Sequence, residues 1–96
     1  MDFYVYILKC RDGSYYTGHT DDLEKRVATH QLGEIPGHTQ TRRPVTLVYA
    51  DTFQTREQAL TAELQIKRWS RRKKEALIAG NWDALKAAAK KDFSKR

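Results

Sequence analysis

Little in this chain is available for stapling, spanning or caging. The single cysteine, Cys10, excludes an internal disulfide and fits a reducing compartment. No apolar run approaches the ~20 residues that cross a bilayer, so no membrane partner is expected. The opening Met1-Asp2-Phe3-Tyr4 carries neither a basic n-region nor a cleavage site, so a cytoplasmic setting is expected. Cys10, His19, His30 and His38 lack zinc-type spacing. Gly13 and Gly18 fall in a hairpin pattern rather than a phosphate-cradling loop, and no small-molecule cofactor is expected. No internal repeat or low-complexity linker marks a boundary. Ninety-six residues then make one domain with one modest core.

What the chain does have is an uneven charge. Positions 1–66 hold seven Lys/Arg and nine Asp/Glu, a net of −2; positions 67–96 hold eleven and three, a net of +8. A cationic stretch on a near-neutral body is a footprint for a polyanion, although lysine-rich helices are also simply soluble. The densest part is Lys67-Arg68-Trp69-Ser70-Arg71-Arg72-Lys73-Lys74, with six basic residues of eight. Trp69 could stack there on a base or ribose, or sit in the core with the cations facing solvent.

Phe3 to Cys10 is rich in β-branched and aromatic residues and predicts a strand. Asp12-Gly13 predicts a tight turn, and Tyr15 to His19 a returning strand. Asp21, with Glu24 as capping partner, predicts a helix that ends before Gly33. Positions 33–43 predict an irregular surface loop. Val45 to Phe53 predicts a third strand. Thr55 with Gln58 predicts a capping box for a helix to about Trp69. Ser70 predicts the cap of a helix from Arg71 to about Ala79, and Asn81 the cap of a last one through Ala88. The order gives an α/β (α+β) layer: a small three-stranded sheet flanked by helices.

The hairpin would set Tyr4-Val5-Tyr6 beside Tyr16-Thr17-Gly18. Tyrosines on paired strands are usually packing partners. A functional one needs a lowered pKa or a base for its proton. Arg26 and His30 are four apart and share a helix face. The arginine could neutralise a phosphoryl group, and the histidine could relay a proton. Glu63 sits in the mostly apolar stretch Ala59 to Ile66. It could pair with Lys67 one turn on, or serve as one hard ligand for Mg²⁺ or Mn²⁺.

As an ordered set, these residues resemble the GIY-YIG nuclease superfamily, and more closely its small single-domain bacterial members. Tyr4-Val5-Tyr6 stands at the Gly-Ile-Tyr position and Tyr16-Thr17-Gly18 at Tyr-Ile-Gly. Arg26 and His30 carry the family's helix pair, and Glu63 its glutamate. The likeness runs from about Phe3 to Ile78. It implies a GIY-YIG-like domain over 1–80, with 81–96 as a C-terminal basic helix and tail, and an antiparallel sheet. It further implies an endonuclease with one divalent ion, Mg²⁺ or Mn²⁺, held by Glu63. In that mechanism Tyr6 acts as or assists the general base, and Tyr16 holds the water or phosphate. Arg26 stabilises the phosphorane and His30 helps proton transfer. DNA is the expected substrate, with RNA left open, and repair or recombination the expected setting. Lys67, Arg68, Trp69, Arg71, Arg72, Lys73 and Lys74 are the expected nucleic-acid contacts. His19 stands where some relatives place a lysine. Asn81 is the one candidate for a late site asparagine, although its position suits a helix cap. A nucleic-acid-binding module with little or no turnover is the alternative.

Overall fold

The computed structural model describes residues 2–80. Its elements in chain order are β1 (Phe3–Lys9), β2 (Tyr15–Thr20), α1 (Leu23–Gln31), β3 (Thr46–Phe53), α2 (Arg56–Lys67) and α3 (Arg71–Ile78). The strands form one antiparallel sheet in the order β2-β1-β3, so the fold is the expected α+β layer. The helix expected from Asn81, and the tail after it, lie outside the described residues.

β1 is central, and its two faces have separate tasks. Successive side chains on a strand point to opposite faces. Val5 and Ile7 pack with Ala59 and Ile66 of α2 and Leu77 of α3. Tyr6 and Leu8 point the other way, into a cluster with Cys10 and Val45 that Leu23 and Val27 of α1 cover. Val5, Ile7 and Leu8 are fully buried. Each such side chain contributes about 1.5–3 kcal/mol by leaving water. The sheet is therefore a partition, with α1 on one side and α2 and α3 on the other.

The local signals explain the element ends, with two corrections. α1 is capped by Asp22, whose carboxylate accepts from the Lys25 N–H, not by Asp21. The Thr20 hydroxyl takes the Asp22 N–H at 3.1 Å and keeps the chain extended one residue longer. Asp21 instead faces Arg56 at 3.5 Å. Thr55 caps α2 as expected, accepting from the Gln58 N–H, but the Gln58 side chain returns to the N–H of Gln54 rather than of Thr55. Ser70 caps α3, accepting from the Lys73 N–H. At the β1–β2 turn Gly13 has φ +86°, a left-handed conformation that costs a glycine little.

Positions 33–43 are irregular but not wholly on the surface. Thr39 is 1% exposed and turns inward to α1. Among the described residues, no helix is long and apolar enough to cross a membrane.

Candidate active site

Strand register builds the aromatic part of the site. Tyr6 of β1 pairs with Gly18 of β2, and Leu8 with Tyr16. Tyr6 leans across its partner. A Cβ on Gly18 would lie 2.5 Å from the Tyr6 hydroxyl oxygen and 2.7 Å from its ring. Glycine at this position is the condition for the Tyr6 pose. The rings of Tyr6 and Tyr16 stand 6.3 Å apart.

α1 brings His30 under both tyrosines. Its ring centroid is 4.9 Å from that of Tyr16 and 5.8 Å from that of Tyr6. His30 Nε2 is 2.9 Å from the Tyr6 hydroxyl, and its Nδ1 is 2.8 Å from Thr39 Oγ1. His30, Tyr6 and Thr39 are each no more than 1% exposed. Burial pushes the Tyr6 phenol far above the ordinary tyrosine value; Tyr16 and the Glu63 charge add to this, while Arg26 opposes it. Burial also lowers the His30 pKa, and the Arg26 charge lowers it further. At neutral pH His30 is thus an uncharged imidazole, able to donate from one nitrogen and accept at the other. Arg26 is exposed; it joins the site through its field on Tyr6 and His30.

The carboxylate comes from the opposite face. Glu63 of α2 is 7% exposed. Its Oε1 lies 2.8 Å from His19 Nδ1, and its Oε2 lies 3.1 Å from Lys67 Nζ. His19 pairs with Val5 in the sheet and shares the α2 face, one residue beyond Gly18. β2 is an edge strand, and Tyr6 lies over its Gly18, which has no side chain. Glu63 is close enough for its charge to act on Tyr6.

Two supporting groups had no usable signal in the sequence. Thr39 lies in an aperiodic loop. His38 lies beside it, with its ring stacked 6.5 Å from that of Tyr16. Ser14 Oγ donates to Asp12 Oδ1 at 2.6 Å, and His38 Nε2 is 2.7 Å from Ser14 Oγ. Ser14's two hydrogen bonds to Asp12, with Arg42 helping, hold that carboxyl at about 2, so it only accepts. The single hydroxyl hydrogen is spent on Asp12, and His38 Nε2–H must be the donor to Ser14. His19 was visible only as a departure from a lysine, and nothing in its spacing announced Glu63.

The basic stretch is not a uniform surface. Arg68, Arg71 and Arg72 are exposed. Lys67 is tied to Glu63, and Arg71 pairs with Glu75 at 3.2 Å while covering the Tyr15 ring. Trp69 is half-buried against the core. Lys73 is 3% exposed, its ammonium 4.4 Å over the Trp69 ring. Lys73, expected among the nucleic-acid contacts, is thus buried beside Trp69. Lys74 is half-buried, and that burial lowers its pKa.

Among the described residues no group of three or more His, Cys, Asp or Glu forms a metal cage. A lone carboxylate fits one kind of ion: a hard divalent cation that keeps its waters and completes its shell with phosphate oxygen. Glu63 is of the right chemistry for that.

The candidate site thus comprises a sheet-edge tyrosine pair, a helix-borne Arg/His pair and a carboxylate from the far face. Comparison with known proteins narrows the class. The GIY-YIG catalytic domain matches residues 2–76, and the chain belongs to that family. It is 50% identical over 76 residues to the UPF0213 protein SSP2268 of Staphylococcus saprophyticus, covering 79% of this chain and 93% of the relative. It is 45% identical over 75 residues to the UPF0213 protein YazA of Bacillus subtilis, covering 78% and 76%. The solution NMR structure of the UPF0213 protein BH0048 from Bacillus halodurans is similar at 43% identity and a TM-score of 0.55, over 84% of this chain and 86% of that one. The NMR structure of the protein EF2693 from E. faecalis is similar at 33% identity and a TM-score of 0.58, over 83% and 85%. Membership implies a nuclease-type activity on nucleic acid, and nucleases of this family are generally dependent on a divalent metal.

Proposed function

We propose that this protein is a divalent-metal-dependent endonuclease that hydrolyses phosphodiester bonds in DNA, with structure-selective or weak selectivity, in repair or recombination. The observation that carries this reading is the buried chain Tyr6–His30–Thr39, whose tyrosine end reaches the sheet edge at Gly18.

The chain suggests how water is activated without forming a tyrosinate, which burial makes costly. Tyr6 donates its proton to neutral His30 Nε2 and accepts one from the attacking water. His30 Nδ1–H stays on Thr39 and steadies the ring as it becomes cationic. Tyr16 packs on His30 and orients the water or phosphate. Arg26, exposed at the mouth, lies against charge that develops on the phosphorus oxygens. Glu63 would hold the divalent ion, Mg²⁺ or Mn²⁺, with His19 fixing one carboxylate oxygen. When bound, that ion supplies Lewis-acid stabilisation of the phosphate and the leaving oxygen. Arg68 and Arg72 supply unspecific phosphate attraction.

The test is a panel of labelled single-stranded, nicked, flapped and branched DNAs with Mg²⁺ or Mn²⁺, run with the parent and Glu63→Ala. Cleavage by the parent alone is the expected result. Salt-sensitive binding by both with no cleavage by either would turn the assignment to a binding module.

A further inference from the structure

Glu63 is engaged on both oxygens before any metal arrives. Its side chain is only 10% exposed, so an ionised carboxylate there needs a compensating partner. Among the described residues, the Lys67 ammonium is bonded to it, 3.1 Å from Oε2. His19 holds the other oxygen at 2.8 Å and serves as a donor even when neutral. The two attachments differ in mobility. His19 is fixed in the sheet through its pairing with Val5. Lys67 ends α2, and its side chain is 48% exposed on a flexible stem.

A divalent ion of magnesium size binds a carboxylate oxygen at about 2.0–2.1 Å. An ammonium hydrogen-bonded to the same oxygen would then face it at close range, like charge to like. The half-exposed lysine can leave at little packing cost, and the sheet-held histidine cannot. Lys67 also opens the basic stretch, next to exposed Arg68.

We propose that Lys67 is an exchangeable counter-cation: it neutralises Glu63 in the metal-free protein and, once a divalent ion is bound there, its ammonium is released to a phosphate of the nucleic acid. This rests on the reading of Glu63 as the metal ligand and adds what that reading lacks, a link between metal binding and substrate binding. Lys67 is a positioning residue for Glu63 in one state and a phosphate contact in the other. Because the link is thermodynamic, it acts in both directions.

Two measurements without turnover test it. The first titrates Mn²⁺ alone into the protein, followed by electron paramagnetic resonance, for the parent, Lys67→Met, Lys67→Arg and Glu63→Gln. Lys67→Met should bind Mn²⁺ about two- to fivefold more tightly, the gain from removing a half-exposed competing ion pair. Lys67→Arg should stay near the parent, and Glu63→Gln should lose the site. Equal or weaker binding by Lys67→Met would overturn the proposal while leaving Glu63 as the ligand. Parent-like binding by Glu63→Gln would overturn both that reading and the proposal.

The second measures the salt dependence of duplex binding in EDTA. With Glu63 present, Lys67 is occupied, and Lys67→Met should leave the slope unchanged. In the Glu63→Gln background Lys67 is free for phosphate, and adding Lys67→Met should reduce the slope by about 0.9, one phosphate contact. The same change in both backgrounds, or in neither, would overturn the exchange. Thermal unfolding of each variant establishes that it is folded.

Discussion

The two faces of the sheet hold chemically opposite parts of the proposed site. On the α1 face Tyr6, His30 and Thr39 are buried, uncharged and linked by hydrogen bonds of 2.8–2.9 Å. On the α2 face Glu63 sits in an ionic cluster with His19 and Lys67, one partner of which is half-exposed. A dry, neutral chain suits moving a proton without creating a buried charge. An ionic cluster near solvent suits trading one cation for another. On the proposed mechanism the difference teaches why both faces would be used: a metal ligand set among the rings would have to desolvate charge, and a tyrosine set among the charges would lose its relay partner. Gly18 on the edge strand leaves the room that Tyr6 occupies.

The most damaging way to break this arrangement is Gly18→Val. Its Cβ would fall on the Tyr6 hydroxyl and ring, and Tyr6 is too well packed to step aside. Overpacking of this kind costs about 1–3 kcal/mol. Urea denaturation should report that loss, and any folded remainder should lack cleavage activity. A parent-like midpoint with full activity would show that the close approach is not needed.

Next comes Thr39→Val, which breaks the neutral side alone. It leaves a buried His30 nitrogen without its partner, at a cost of about 1–3 kcal/mol. Denaturation should show that loss, while Mn²⁺ binding at Glu63 should be unchanged. A simultaneous loss of Mn²⁺ affinity would mean the two sides are not separable.

The pH dependence of stability sharpens the same contrast. His30 has a lowered pKa in the folded protein, so between that value and the ordinary ~6.5 the unfolded chain binds more protons. Stability should therefore fall as pH drops from about 6.5 toward the folded value. Denaturation midpoints across pH 5–7.5 should show this, with a flatter profile for His30→Gln. A parent curve that is flat or rises on acidification would contradict the neutral state assigned to His30.

The smallest effect is a gain. The Thr17 hydroxyl is buried with no hydrogen-bond partner among the described residues. Thr17→Val keeps the shape and removes that desolvation cost, so it should stabilise by roughly 1 kcal/mol. A loss of stability would mean that the hydroxyl has a partner in solution.

Much of the frame was legible because it rests on local signals. Alternation in β1, the Asp12-Gly13 turn and the Thr55 and Ser70 caps each act within a few residues. Tyr6, Tyr16, Arg26, His30 and Glu63 are candidates that motif order offers, and the structure packs three of them, the rings of Tyr6, Tyr16 and His30, together. Less legible were the groups that serve them. Thr39, His38 and Ser14 meet through loop geometry that has no period. His19 finds Glu63 across 44 positions of sequence. Lys73 read as one more surface cation, and only packing shows it under Trp69. The cap of α1 moved by one residue because Thr20 competes for a backbone N–H, a choice that Asp21-Asp22 alone leaves open.

The most direct test measures Mn²⁺ binding and DNA cleavage together on Tyr6→Phe and Glu63→Gln. Tyr6→Phe should bind Mn²⁺ like the parent and cleave about 10²–10⁴-fold more slowly, the range of a lost general acid–base group. Glu63→Gln should lose both. Parent-like cleavage by Tyr6→Phe, or Mn²⁺ binding and cleavage retained by Glu63→Gln, would contradict the division of the site between the two faces.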